Sequence, residues 1–535
     1  MLRSRSGPAT LAAILFALTL FSPAAGAEPG GSSTRVAPPA RGPRGATVSG
    51  NALSPNTPNV VVIMVDDLPP LDERIYAVLP TIRETFVKHG INFTDFHSET
   101  PLCCPARVGF LTGQNTFHHG VDRNNASLFR PAMSLATQLK AAGYQTMLAG
   151  KYLNGYSRLA PVVPPGWDRF SAKEGDDYYN YTFWNDGNPK AEHHGDRVKD
   201  YLTDVTRQKA VAQLRAADPR KPVFAWIAVN APHSPWLPAP RHAKDTTCDS
   251  IAPWKPASYA EADVSDKPVW VQKQPRYRPS QLRNRTGFDL GPVCRTLLSV
   301  DELVRKIRSV LQEQGRLSNT VLVFAGDNGM NFGAHRLDSK LGPYETAVPF
   351  FVSWPARFGV KARKVTDTVM NIDFAPTICE LAGCTLGPYP NGQQEADGTS
   401  FLPLLLGTAV SMKRDSVVED LPAGDQGVPA WYAARTTGAS SLKNAGCKQP
   451  GPNACRWHYV RYDDGFEELY DISGGTCSAW KPGMPGDPCE LVNVAGDASY
   501  LPILNSMRYR LNALKGAPPA GRGEADGGPI TGLGG

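Results

Sequence analysis

Apolar and polar positions along this chain alternate between two periods. Residues 59–65 form a largely β-branched apolar run that ends at Asp66-Asp67. Such a run predicts a strand buried on both faces. Past Pro80, Ile82, Phe86 and Val87 recur at helical spacing and Gly90 closes the run. Residues 134–143 read as a helix, 144–149 as a strand before Gly150-Lys151, and 201–216 as a helix. The strand expected at 223–229 is closed by Asn230-Ala231-Pro232-His233. Residues 295–314 carry Leu297, Val300, Leu303, Val304, Ile307, Val310 and Leu311 on one helical face. A strand at 320–325 precedes Gly326-Asp327-Asn328-Gly329, and another is expected at 348–354. Residues 156–195 and 235–290 show little period and read as surface excursions.

This alternation predicts an α/β fold: a large, mainly parallel sheet sandwiched by helices. Beyond about residue 410 the texture changes. Residues 457–462 and 468–472 read as antiparallel strands and 498–514 as a last helix, a smaller C-terminal α+β domain. The organisation expected is a large domain at 58–410 and the smaller one at 411–515. At the start, Arg3 and Arg5 precede an apolar run at 9–21 and the small residues Ala25-Gly26-Ala27. That reads as a signal peptide over 1–27, hence a secreted, extracytoplasmic protein. The run is shorter than the roughly 20 residues that cross a bilayer, and no membrane span is expected elsewhere. Residues 28–57 and 516–535, rich in Gly and Pro, read as a disordered linker and tail.

Charge adds little. The formal net charge is +6, of which the first 57 residues hold +4. A body near +2 gives no reason to expect nucleic acid as a partner. Any anion site must be local.

The chemistry sits where strands end. In open α/β sheets, sites form beyond the carboxyl ends of the strands. Asp66-Asp67, Lys151, His233 and Asp327-Asn328 all lie there. Asp66, Asp67, Asp327 and Asn328 form an all-oxygen set, suited to Ca²⁺ or Mg²⁺. Taken singly, acidic residues after a strand are as often helix caps, and Asp327-Asn328-Gly329 is more often a turn. Residues 101–113 run Pro101-Leu102-Cys103-Cys104-Pro105-Ala106-Arg107-Val108-Gly109-Phe110-Leu111-Thr112-Gly113. Pro105 predicts a short helix starting near it, with Cys103 in the preceding loop. Arg107 offers a fixed positive fork for a tetrahedral anion there. A buried, purely structural cysteine pair is the competing reading.

Cys103-x-Pro105-x-Arg107 followed by Leu111-Thr112-Gly113 resembles the signature of type I sulfatases, in the alkaline phosphatase superfamily. Residues 143–153, with Lys151, resemble the second sulfatase signature. The resemblance implies a sulfuric ester hydrolase. It implies that Cys103 is oxidised to 3-oxoalanine (Cα-formylglycine) by a formylglycine-generating enzyme before folding. The metal ligands implied are Asp66, Asp67, Asp327, Asn328 and the modified Cys103, with Ca²⁺ as the ion and Mg²⁺ as the alternative. Lys151, His233 and Lys340 match sulfate-contacting residues, with Arg107 beside the nucleophile. The hydrated aldehyde would attack sulfur, and its second hydroxyl would then expel sulfate. Where many sulfatases carry a histidine two places after the lysine, this chain has Leu153; Asn154, His118 and His119 are the substrate-side candidates to replace it.

Gly150-Lys151-Tyr152-Leu153-Asn154, Tyr178-Tyr179-Asn180-Tyr181-Thr182 and Ala231 to Trp236 are similar to the N-acetylglucosamine-6-sulfatase branch. This implies a sulfated saccharide, such as a glycosaminoglycan, as substrate, and a lysosomal location in an animal. An arylsulfatase, or a phosphoester or phosphonate hydrolase on the same fold, is the rival. A non-catalytic sulfated-glycan-binding protein is a rival of another class. With Cys103 consumed, Cys379 and Cys384, Cys447 and Cys455, and Cys477 and Cys489 form close pairs. Cys248 and Cys294 close a longer loop and Cys104 stays free.

Overall fold

The computed structural model describes residues 57–516, apart from 71–73, 176, 252–253, 277–289, 360, 445–454 and 478. The expected signal peptide, nearly all of the linker, the tail beyond Gly516, and Cys447 lie outside the described residues.

In chain order the described strands are β1 (Asn59–Val65), β2 (Ile91–Phe93), β3 (Phe96–His97), β4 (Gln145–Lys151), β5 (Arg169–Glu174), β6 (Thr182–Asn185), β7 (Glu192–His193) and β8 (Val223–Ala228). They continue with β9 (Thr320–Gly326), β10 (Phe350–Ser353), β11 (Arg363–Val365), β12 (Val369–Met370), β13 (Ser416–Leu421), β14 (Trp431–Thr436), β15 (Trp457–Tyr462) and β16 (Glu467–Asp471). One ten-stranded sheet has the order β11-β2-β10-β9-β1-β8-β4-β5-β6-β7. Its centre, β9-β1-β8-β4-β5, is parallel. β10 joins antiparallel to β9, and β6 and β7 close the other side antiparallel.

The alternation along β1 shows why the centre is buried on both faces. Val60, Val62 and Met64 enter one apolar layer, with Val108, Phe110 and Leu111 of the helix Cys103–Thr112. Val61, Ile63 and Val65 enter the opposite layer, with Leu297, Val300, Val304 and Ile307 of the helix Leu290–Glu313. Helices cover a sheet only when their apolar stripes face it.

Two expectations need correction. Residues 156–195 are not only a surface excursion, since β5, β6 and β7 lie within them and extend the sheet. Their side chains alternate too briefly to show a period. The C-terminal sheet has four strands, in the order β13-β14-β15-β16, rather than the two read from the sequence. One of its faces packs Trp431, Val460 and Tyr470 against Leu102, Leu337, Leu341 and Tyr344. The other packs Val418, Tyr459 and Leu469 against Leu504, Met507 and Leu511 of the helix Leu501–Leu514.

Disulfides join Cys248 to Cys294, Cys379 to Cys384 and Cys477 to Cys489. Cys455 is disulfide-bonded as well. Cys103 and Cys104 are free thiols, both buried. No helix among the described residues is long and apolar enough to cross a membrane.

Candidate active site

β1 and β9 are parallel neighbours, with Val65 opposite Gly326. The next residues, Asp66 and Asp327, therefore emerge side by side at the same sheet edge. Asp67 follows with a left-handed backbone, φ 57°. Its N–H donates to Asp327 Oδ1 at 3.1 Å, and the Asn328 N–H donates to the same oxygen at 2.8 Å. Asn328 Nδ2 donates to Asp67 Oδ1 at 2.7 Å. All four residues are buried.

The helix Cys103–Thr112 aims its first turn at this cluster. It begins at Cys103 itself, two residues earlier than Pro105 suggests, with Leu102 extended as its N-cap. Pro105 still falls in the first turn, where a missing N–H leaves nothing unpaired. The Cys104 N–H is taken up by Asn124 Oδ1 at 2.9 Å. Cys103 Sγ lies 3.6 Å from Asp66 Oδ1, and Lys340 Nζ donates to that sulfur at 2.8 Å. Lys340 also pairs with Asp67. Lys151, at the end of β4, donates to Asp66 Oδ2 at 2.6 Å. His233 Nε2 stands 3.4 Å from Asp67 Oδ2, while its Nδ1 contacts the Ser234 carbonyl at 2.7 Å.

Arg107 lies within this cluster, and two of its nitrogens are engaged by protein groups. It is wholly buried, with Nε donating to Asp327 Oδ2 at 2.9 Å and Nη1 to the Lys151 carbonyl at 2.8 Å. Its remaining nitrogen, Nη2, stands 3.8 Å from Asp66 Oδ2. Position within the first turn showed that it would be near; the direction of its long side chain was not readable.

Charges here act strongly on one another. Burial resists ionisation of Asp66, but Lys151, His233, Arg107 and Lys340 outweigh it and hold its carboxyl well below the usual range. Burial and the Asp66 charge push Asp327 up to about 6, against Arg107. Burial also pushes the Cys103 thiol up, beyond what Lys151 and Lys340 offset. It works against the Lys340 ammonium too, and there Asp67, Cys103, Asp66 and Asp327 prevail and raise it.

The residues present fit a hard cation. Asn328 Oδ1 is buried with no hydrogen-bond partner among the described residues. A buried carbonyl oxygen left so is costly unless something coordinates it. Ligand atoms of Asp66, Cys103 and Asp327 lie within 4.8 Å of one another, as do those of Asp66, Asp67 and His233. Crowded carboxylates drive one another's pKa values apart, and a divalent ion among them would let all ionise.

The other candidates are held by other partners. His118 and His119 close a separate short helix, Thr116–His119, that follows the Cys103 helix. His118 Nδ1 pairs with Asp397 at 2.8 Å, and His119 is buried 3.8 Å from Glu99. The Asn154 carbonyl receives the Ala126 N–H, and its backbone lies against Cys104 rather than Cys103. Leu153 is a core residue. Conversely, Lys173 was not singled out. It stands opposite Lys151 in the β4–β5 register, is buried, and donates to Asn230 Oδ1 at 3.3 Å at the base of the His233 turn. A basic residue at the end of a strand was the available signal.

The sulfatase family model matches residues 58–384. N-acetylglucosamine-6-sulfatase of Capra hircus is 31% identical over 510 residues, 88% of this chain and 85% of that protein. An extracellular sulfatase SULF-1 homolog of Drosophila melanogaster is 32% identical over 66% of this chain, which spans only 32% of that relative's length. A solved structure of a protein in complex with its substrate D-glucosamine-2-N,6-O-disulfate is similar with TM-score 0.65 at 21% identity, over 86% of this chain and 98% of that one. At that identity the likeness shows the fold. The family match over more than half of the chain, carried on a sheet whose strand ends gather these acids, lysines and a buried cysteine, establishes that the chain belongs to the sulfatase family of the alkaline phosphatase superfamily and is a sulfuric ester hydrolase.

Proposed function

We propose that this protein hydrolyses sulfate esters of sulfated amino sugars of the N-acetylglucosamine-6-sulfate type, with residue 103 as the nucleophile. One observation carries the reading: Lys340 Nζ reaches Cys103 Sγ at 2.8 Å beside the Asp66, Asp67, Asp327 and Asn328 oxygens. The names of the Capra hircus relative and of the structural neighbour's substrate favour the amino sugar.

Asp66, Asp67, Asp327 and Asn328 would hold Ca²⁺, and Cys103 would be converted to Cα-formylglycine by a formylglycine-generating enzyme. Bound there, these groups supply charge neutralisation and an aldehyde whose hydrate is the nucleophile. The chain's own residues do the rest. Lys151 holds Asp66 ionised toward the ligand cluster. Lys340, His233 and Lys151 surround residue 103 with cationic or protonatable groups, as an anionic sulfate ester requires. His233 carries the proton of a neutral ring on Nδ1, facing Ser234, which leaves Nε2 toward the site. Once protonated, Nε2 can deliver a proton to the leaving oxygen, and Lys340 is the second candidate for that role. Arg107 fixes Asp327 and the Lys151 backbone.

The disulfides favour an extracytoplasmic location, where such bonds persist. The division at about residue 410 is read as two domains that share apolar packing.

The test uses protein secreted from its native host. Mass spectrometry of the peptide spanning Cys103 should show the aldehyde. N-acetylglucosamine-6-sulfate should be turned over, while a matched aryl phosphate should be hydrolysed far more slowly than the aryl sulfate. Chelation or C103A should abolish the activity. An intact thiol with undiminished hydrolysis would overturn the reading.

A further inference from the structure

The loop that carries Lys340 is bent in an unusual way. Phe332, His335, Arg336 and Leu341 have φ of 45°, 51°, 63° and 90°. Non-glycine residues persist in such conformations only where their surroundings over-determine them. Leu341 adjoins Lys340 directly. Its carbonyl accepts the indole N–H of Trp431 at 2.8 Å, and its side chain is buried in the same apolar cluster as Trp431. Trp431 is fully buried and opens β14 of the C-terminal sheet. A second tie lies three residues on. Tyr344 Oη donates to Glu468 Oε1 at 2.9 Å, and Tyr462 and Tyr470 donate to the same carboxyl group at 2.8 and 2.6 Å. Leu102, just before Cys103, packs in that cluster as well. The C-terminal sheet thus touches the chain beside both partners of the Lys340–Cys103 contact.

We propose that the C-terminal sheet braces the active site, with Trp431 as a positioning residue that holds the Leu341 carbonyl and so directs the Lys340 ammonium at residue 103. The proposal rests on the reading of Lys340 as a cation of the sulfate site. Without the indole N–H, a buried carbonyl loses its donor and Leu341 is released toward an ordinary backbone conformation. Lys340 reaches the site on a flexible four-carbon stem, so its aim depends on where its backbone is held. A displacement of about 1 Å at a catalytic centre can cost about 100-fold in rate.

The test is a double-mutant cycle on modified, calcium-loaded enzyme with 4-nitrophenyl sulfate. W431F removes the donor and keeps an aromatic ring; Y344F removes one hydroxyl and serves if W431F is poorly folded. Each should lower kcat/KM by about 10- to 100-fold in the Lys340 enzyme. Each should lower it by less than about 3-fold in the K340A background, because the lost aim has nothing left to act on. A merely structural defect would multiply through both backgrounds. If K340A turns over at the wild-type rate, the reading of the site falls and the brace with it. If K340A is impaired but both tyrosine and tryptophan variants are silent, or lose the same factor in both backgrounds, the brace alone is overturned.

Discussion

Asp420, on β13, is a carboxyl group that the fold keeps from water. Burial pushes it up to about 8, more than Thr116 and Lys515 offset. In the unfolded chain it would ionise near 3.9. The native state therefore holds a proton that the unfolded state has released across the window from about 4 to about 8. Its contribution is fully present below the unfolded value and is lost as pH rises through the folded one. D420N carries no such charge at any pH. Thermal midpoints should show wild type losing stability between pH 5 and pH 8 relative to D420N. The expected gain of D420N at pH 8 exceeds about 1 kcal/mol, since one pKa unit is worth about 1.4 kcal/mol. Parallel pH profiles for the two proteins would refute this. Single residues were legible in the sequence when they closed an apolar run, as Asp66, Asp327 and Lys151 do. Asp420 closes none, and nothing local marks it as buried.

Among the elements, the helix Cys103–Thr112 is fully enclosed, with all ten residues buried. Gly109 shows how little room it has. A Cβ there would stand 2.2 Å from Glu99 Oε1, and Glu99 is itself buried. G109A must displace Glu99 or shift the helix, and Arg107 on the same helix would be carried away from Asp327. Overpacking of this kind costs about 1–3 kcal/mol. Chemical denaturation should show G109A destabilised by that order, and G109A with E99A by less than the sum of the two single changes. Strict additivity would mean that Gly109 and Glu99 do not compete for the same space. The helix was legible from Pro105 and the apolar positions after it. Its first residue was misplaced by two because the N-cap, Leu102, makes no side-chain hydrogen bond that a sequence signal could reveal. The short strands β5 to β7 were missed for a related reason: two to six residues on a sheet's margin give too few alternations to register.

Across the whole molecule, the C-terminal sheet is joined to the preceding chain by buried charge as well as by apolar packing. Glu419 on β13 is fully buried and meets Arg435 Nε at 3.2 Å, His458 Nε2 at 3.2 Å and His97 Nδ1, on β3, at 3.4 Å. The Thr346 hydroxyl donates to it at 2.7 Å. Burial opposes its ionisation, and Arg435, His458 and His97 outweigh burial and hold it well below the usual range. Its stabilisation is present above the unfolded value, near 4.3, and is lost as pH falls toward the folded one. E419Q removes the nearer counter-charge of the buried Arg435 guanidinium and leaves it only Glu490 at 3.9 Å, and breaking such a buried pair costs up to about 3–5 kcal/mol. Urea denaturation at pH 7 should show a loss of that order, shrinking as both proteins are acidified below pH 4. Contacts such as these were invisible in the sequence. Trp431 and Leu341 are 90 positions apart, and which residues of two sheets meet depends on register that no local pattern encodes.

One consequence concerns the order of events during synthesis. Cys103 is enclosed on one side by β1 and on the other by groups that the ribosome supplies much later, Asp327 and then Lys340. About 220 residues separate Cys103 from Asp327, which at roughly 5–20 residues per second is a delay of about 10–45 s. During that interval Asp327 and Lys340 are not there to shut the thiol in, and afterwards it is walled off. Any catalyst that works on this side chain is therefore racing translation, and slowing the ribosome over residues 104–327 should raise the fraction of chains that it reaches in time.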